Sequence, residues 1–393
     1  MDYSEFLNSK AVRAQAVGIH VSPDAINPKL FDFQRDICLW ALRKGRALVG
    51  LDTGLGKTFI QLEWARLIAK RSLIIAPLSV ARQTQREARK LGLDVRYVRH
   101  ADEVTDDGLY ITNYEMAEHL DAAMFGAVVL DESSILKSID GKTRRQLTLQ
   151  FGDVPYRLCC TATPAPNDNA EVGMHSEYLG VMRNNEMLAS FFIHANKVLE
   201  DMVELEDGRQ VKVKSKQSGK LGQDWRIRNY AKGEFYRWMA SWAMMLSAPS
   251  DLGYNDNGYI LPPLTITPIF CDVDYSPTDQ LFFTGLKGIQ DRTAIRRETL
   301  SDRIAFAADL VNNSDEQWIV WCGLQQEADA LMAVLNDAHE VKGSDQPEDK
   351  AQAFEDFQDG KFRVLVTKGK IAGFGMNFQN AHNMVFVGLG DSW

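Results

Sequence analysis

The chain has 393 residues, long enough for two or three domains that each bury a core, and its 45% apolar content excludes a disordered or low-complexity protein. No apolar run approaches the length of a membrane span, Met1-Asp2-Tyr3-Ser4-Glu5 does not resemble a signal peptide, and the five cysteines show no metal-ligand spacing. These features predict a cytoplasmic protein with free thiols and no membrane partner. The net charge of −9 excludes a uniformly basic coat, yet Arg66 to Arg99 holds nine Lys or Arg against Glu87 and Asp94, and Asp207 to Lys232 holds eight against Asp207 and Asp224. Two basic tracts in an acidic chain predict local contact with a polyanion.

In chain order, the apolar runs Ala47 to Leu51, Leu73 to Pro77, Leu109 to Tyr114, Ala127 to Asp131 and Tyr156 to Thr163 predict strands separated by helices, as in a parallel sheet. The stretch from about 180 to 262 breaks this rhythm. Met202 to Lys214 predicts a hairpin with a three-residue loop, placing Val203 opposite Val213 and Leu205 opposite Val211. Phe235, Trp238, Met239, Trp242, Met245 and Leu246 follow at helical spacing and predict one core-facing helix. Alternation resumes after Pro262-Pro263, with strands at Ile266 to Val273, Gln317 to Cys322, Phe362 to Thr367 and Met384 to Leu389. Ala328, Leu331, Met332 and Leu335 mark one helix, and Ala351, Phe354 and Phe357 another.

Chemistry concentrates at the ends of the predicted strands. Ala47 to Leu51 leads into Asp52-Thr53-Gly54-Leu55-Gly56-Lys57-Thr58 and then a helical pattern at Ile60, Trp64, Leu67 and Ile68. Strand, glycine turn ending in Gly-Lys-Thr, and helix form a phosphate-binding loop. Its glycines admit backbone N–H groups to the phosphates, Lys57 reaches the β and γ phosphates, and the Thr58 hydroxyl ligates Mg²⁺. The full pattern has Gly or Ala where Leu51 stands here. Ala127 to Asp131 is an apolar strand ending in Asp131-Glu132: Asp131 is placed to hold Mg²⁺, and Glu132 to polarise the attacking water. Thr161-Ala162-Thr163-Pro164 then offers hydroxyls at a third strand end, able to link the magnesium site to nucleic acid.

In this order the motifs resemble those of superfamily 2 helicases, and within them the Swi/Snf-type double-stranded-DNA translocases, in a compact form like those encoded by bacteriophages. The resemblance runs from about Phe31 to Leu389 outside the insert. Phe33-Gln34 matches the adenine-sensing glutamine motif, Asp52 to Thr58 motif I, Ile74-Ile75-Ala76-Pro77-Leu78-Ser79 motif Ia, and Tyr110 to Glu115 motif Ib. Asp131-Glu132-Ser133-Ser134 occupies motif II and Thr161 to Pro164 motif III. Trp318 to Cys322 resembles motif IV, and Ala372-Gly373-Phe374-Gly375-Met376-Asn377-Phe378 motif V.

The resemblance implies two RecA-like α/β domains with parallel sheets in tandem: residues 1–180, then a hairpin and helical insert at 181–262, then 263–393. It implies ATP and Mg²⁺ as cofactors. Nucleotide would be held by Gln34, Thr53, Gly54, Gly56, Lys57, Thr58 and Gly375, the metal by Thr58 and Asp131, and catalysis would rest on Lys57, Asp131 and Glu132. Nucleic acid would be met at Pro77, Arg82, Arg86, Arg89, Asn113, Thr161, Thr163 and Asn377. Of these, Arg82, Arg86 and Arg89, with Lys90, also form a basic stripe at helical spacing on the residues alone.

The partner implied is DNA, duplex in preference to single-stranded and read with little sequence specificity, in a bacterial or phage-infected cell, with replication or recombination factors of phage or host as associates. Two departures from the family pattern bear on activity. Ser134 stands where His or Asp is common, and motif VI, with its arginine finger, does not follow the last strand, so the second domain is expected to be incomplete. The competing expectations are a nucleotide-switched DNA-binding module without motor activity, and the motor subunit of a restriction-type complex.

Overall fold

The computed structural model describes residues 13–137, 141–165, 168–194, 199–204, 210–215, 225–270, 299–373 and 376–388. They divide into two compact units, one built from residues up to 77 and from 83 to 261, the other from 78–82 and from 262 onward.

The first unit is a seven-stranded sheet in the order β11-β1-β6-β5-β2-β4-β3, parallel throughout. Its strands are β1 (Arg46–Leu51), β2 (Arg71–Ala76), β3 (Val95–Tyr97), β4 (Gly108–Asn113), β5 (Ala127–Asp131), β6 (Tyr156–Thr161) and β11 (Ala243–Leu246). β1, β2, β5 and β6 are buried almost end to end, which is why each reads as an unbroken apolar run instead of an alternating one. Helix α1 (Asp32–Lys44) precedes β1, buries Phe33, Ile37, Cys38, Ala41 and Leu42, and ends at Gly45 in the left-handed region. Helix α2 (Lys57–Ile68) follows β1, and α3 (Leu78–Lys90) follows β2. Helices α4 (Lys142–Phe151), α5 (Val172–Leu179), α6 (Asn184–Phe191) and α7 (Lys232–Ala240) complete the set.

The sheet order places the carboxyl ends of β1, β6 and β5 side by side: Gly50 is in register with Thr161, and Asp131 with Cys160. In parallel α/β folds this edge is where ligands are held.

Three expectations need correction. The helix predicted to run through Leu246 stops at Ala240; Ala243–Leu246 is instead β11, parallel to β1 with Leu48 opposite Ala243. Met245 and Leu246 fit the helical spacing only because a four-residue apolar run suits either period. The hairpin is formed by β8 (Leu199–Glu204) and β9 (Gln210–Ser215), but Val203 lies opposite Val211, not Val213. The shift of two residues keeps the valines paired; the turn itself lies outside the described residues. Finally, residues 266–270 of the strand expected at Ile266 to Val273 form no strand and stand exposed, because alternation alone supplies no neighbour to pair with. A short antiparallel pair, β7 (Phe192–His194) with β10 (Trp225–Ile227), joins the end of α6 to the segment before α7.

The second unit is a four-stranded parallel sheet in the order β13-β14-β12-β15, with β12 (Trp318–Trp321), β13 (Ala338–Glu340), β14 (Val364–Thr367) and β15 (Asn383–Phe386). Helices α8 (Leu300–Asn312), α9 (Gln325–Met332) and α10 (Pro347–Gln358) bury Val311, Leu331, Phe354 and Phe357 in its core clusters. The expected α/β class, with two parallel sheets in tandem, is realised. No helix among the described residues is long and apolar enough to cross a membrane.

Candidate nucleotide-binding site

The loop from Asp52 to Lys57 is fixed from three sides. The Asp52 N–H donates to Leu246 O of β11 at 3.0 Å, and the Thr53 N–H donates to Asp52 Oδ1 at 2.7 Å. Gly54 and Gly56 have φ of 85° and 80°, left-handed values that glycine adopts without strain. Gln34, buried at the start of α1, accepts the Phe31 N–H and donates Nε2 to Leu55 O, each at 3.0 Å. The Gln34 amide thus fastens the loop to α1. Its Nε2 stands only 2.2 Å from where a Cβ on Gly56 would lie.

Lys57 opens α2, its ammonium donating to Leu51 O at 2.9 Å and Asp52 O at 3.3 Å. The cation therefore lies curled inside the loop, held by two neutral carbonyls that an anionic phosphate would outcompete.

Asp131 ends β5 and is 4% exposed. Its Oδ2 accepts Gln61 Nε2 at 2.9 Å, its Oδ1 accepts the Glu132 N–H at 3.0 Å, and its carbonyl accepts the Tyr114 hydroxyl at 2.6 Å. Glu132 has φ of 52°, a left-handed conformation that costs a non-glycine residue energy and is concentrated at functional sites. Burial raises the Asp131 carboxyl above its ordinary range, opposed by the Gln61 and Glu132 N–H groups and the Lys57 charge. Burial and the Asp131 charge raise Glu132, opposed by Lys57 and by a hydrogen bond from the Thr161 hydroxyl. Lys57, Asp131, Glu132 and Thr161 therefore share one electrostatic neighbourhood at the carboxyl ends of β1, β5 and β6.

Behind it, Ser133 Oγ lies 3.1 Å from Nε2 of the fully buried His175 on α5. Burial pushes the His175 imidazole down to about 4, so it is neutral at neutral pH. Thr161 also accepts the Thr163 N–H at 3.1 Å, shaping the turn after β6.

The sequence motifs include neither Gln61 nor His175, and Tyr114 only as one member of Tyr110 to Glu115, although each touches the acidic turn. A signal exists only for Gln61, a polar residue four after Lys57 inside the buried run Ile60 to Ala65.

The donor set suits Mg²⁺, which takes oxygen ligands, retains waters and needs few protein groups when phosphates supply the rest. Asp131 and Thr58 would hold it. Among the described residues no group of three or more His, Cys, Asp or Glu could hold a metal, so no competing cage is present.

The residues expected to meet nucleic acid are more scattered. Pro77 caps α3, and Arg82, Arg86 and Arg89 lie along it. Lys90, on the same stripe, is paired with Glu87 at 2.8 Å. Asn113 ends β4 and is 7% exposed, its Oδ1 accepting the Met116 N–H at 3.1 Å, so its side chain serves the turn. Thr161 is fully buried. Asn377, in the second unit, caps a turn by accepting the Gln379 N–H at 3.2 Å. Gly375 lies outside the described residues, as do the side chains of Lys212, Lys214, Lys216 and Lys220.

No protein-family model matches the chain, and no curated protein does. Among solved structures it is similar to the Sulfolobus solfataricus SWI2/SNF2 ATPase core in complex with dsDNA, with 15% identity and a TM-score of 0.46 over 94% of this chain and 84% of that one. It is also similar to UvsW of bacteriophage T4, with 12% identity and a TM-score of 0.33 over 98% of this chain. A second structure, of the UvsW helicase, gives 16% identity and a TM-score of 0.32 over 46% of this chain. The chain spans 65% of each UvsW chain, just under two thirds.

Proposed function

We propose that this chain is an ATP-dependent nucleic-acid translocase or helicase of the superfamily 2 type, coupling ATP hydrolysis to movement on DNA. The observation that carries the reading is the convergence of Lys57, Asp131, Glu132 and Thr161 at adjacent ends of one parallel sheet, supported by a loop whose N–H groups and glycines suit phosphates. Lys57 exchanges its two carbonyl partners for the β and γ phosphates and neutralises their charge. Asp131 and Thr58 would hold Mg²⁺, which would supply charge neutralisation to the phosphates. Glu132 orients a water for in-line attack on the γ phosphorus and accepts its proton; the bond to the bridging oxygen breaks and ADP leaves. Thr161 holds the Glu132 carboxylate, so a shift of the turn after β6 on nucleic-acid binding would reach the catalytic base directly.

The test is ATP turnover and nucleotide binding with and without duplex DNA, the polymer present in the Sulfolobus structure. Nucleotide binding that is lost in Lys57→Ala, and turnover that DNA raises, are the expected results. A folded wild-type chain that binds no nucleotide would sink the reading.

A further inference from the structure

Gln61 sits one helical turn beyond Lys57 on α2 and is fully buried. Its Nε2 donates to Asp131 Oδ2 at 2.9 Å, while the Glu132 N–H occupies Oδ1 at 3.0 Å. Its Oε1 is equally buried and has no hydrogen-bond partner. The amide cannot be turned to relieve this, because an ionised carboxylate only accepts hydrogen bonds and Oε1 would then face Oδ2. A leucine or methionine would have nearly the same volume and no orphaned acceptor of its own, but it would take the donor away from Asp131 Oδ2. A buried acceptor without a donor is costly, and here the same amide holds the Asp131 carboxylate through its Nε2.

We propose that Gln61 is a positioning residue for the metal carboxylate. Its amide N–H sets the orientation of Asp131, leaving each carboxylate oxygen a further lone pair for the cation. This inference rests on the nucleotide-site reading above and adds a residue through which the helix bearing Lys57 senses the metal. Both groups then lie on one rigid element: Lys57 reports the phosphates, and Gln61, four residues on, the metal that accompanies them.

The experiment uses the full chain and Mn²⁺ as the probe, its binding followed by electron paramagnetic resonance in the presence of ADP. Gln61→Leu and Gln61→Met both remove the hydrogen bonds at nearly constant volume, and circular dichroism verifies the fold. The expected result is Mn²⁺ affinity lowered about tenfold or more, as for residues that orient metal ligands. ADP affinity in EDTA should stay unchanged, and the Mg²⁺ needed for half-maximal turnover should rise by the same factor as the loss of Mn²⁺ affinity. Unchanged Mn²⁺ affinity in the folded variants, with Lys57→Ala still abolishing nucleotide binding, would overturn this proposal and leave the site reading intact. A wild-type chain that holds no Mn²⁺ with ADP would overturn both.

Discussion

At Gly56 two demands meet: a left-handed φ of 80° and the Gln34 amide 2.2 Å from a would-be Cβ. Gly56→Ala therefore forces either the loop or the Gln34–Leu55 hydrogen bond to yield. A left-handed alanine and one lost hydrogen bond cost about 2 kcal/mol together. Chemical denaturation should show that loss, and nucleotide affinity should fall with it. Thr161 invites a different experiment. Its hydroxyl lowers the Glu132 carboxyl, which burial and Asp131 have raised. In Thr161→Val the Glu132 pKa climbs further, and a base must be ionised to act, so the acid limb of turnover should move to higher pH. An unmoved limb would remove Glu132 from the role of base. His175 ties protonation to stability instead. Its folded pKa of about 4 lies below the ordinary value near 6.5, so the unfolded chain binds the extra proton first. Stability is then complete above about pH 6.5 and is lost as pH falls toward 4, by up to about 3 kcal/mol. His175→Gln should flatten that slope, as urea titrations across this range would reveal.

Between elements, legibility followed the range of the determining contacts. The five strands of the first half announced themselves because a buried parallel strand is an apolar run, and the glycine loop because its chemistry is contiguous. β11 did not, since four apolar residues after a helix fit a helical period equally well, and its partner β1 lies far back in the chain. The same distance hid Gln61, Tyr114 and His175: each meets Asp131 or Ser133 only because the fold brings α2, the residue after β4 and α5 against the end of β5. In the second unit a comparable long-range knot joins α8, α9 and the end of β15. Glu327, fully buried, accepts the Gly323 and Leu324 N–H groups at 2.7 and 2.9 Å and Arg303 Nη1 at 2.8 Å, and Arg303 also donates to Val387 O. Burial alone would raise the Glu327 carboxyl, but the Leu324 and Gly323 N–H groups and Arg303 together hold it below its usual value. A Cβ on Gly388 would come within 2.3 Å of Glu327 Oε2. Gly388→Ala should therefore disrupt this buried ionic network at a cost of about 3 kcal/mol, measurable as a lower unfolding midpoint. An unchanged midpoint would mean that the strand end simply shifts aside.

Over the whole molecule, the basic tract from Arg66 to Arg99 divides into two populations that composition cannot separate. Arg66 pairs with the buried Glu63 at 2.5 Å and donates to Ala25 O; Arg71 donates to Asp106 O; Arg96 lies over the Tyr110 ring at 4.5 Å and pairs with Asp106. These cations hold the fold together. Those of α3 are spaced instead along one helix, with Arg89 exposed at its last turn. A chain of net charge −9 repels a polyanion at long range, so binding must come from such local cations inside the Debye length, about 10 Å at 0.1 M salt. If α3 tracks a nucleic-acid backbone, each phosphate it neutralises contributes about 0.9 to the slope of log K against log salt. Replacing Arg82, Arg86 and Arg89 together by Ala should weaken duplex binding, independently of sequence, and reduce that slope by up to about 2.7. Nucleotide affinity, which the proposed function assigns to the loop after β1, should not change. Replacing Arg66 or Arg71 should instead lower stability and leave the salt slope as it was. If the triple variant keeps the wild-type slope, the nucleic-acid track runs elsewhere on the chain and α3 serves only the fold.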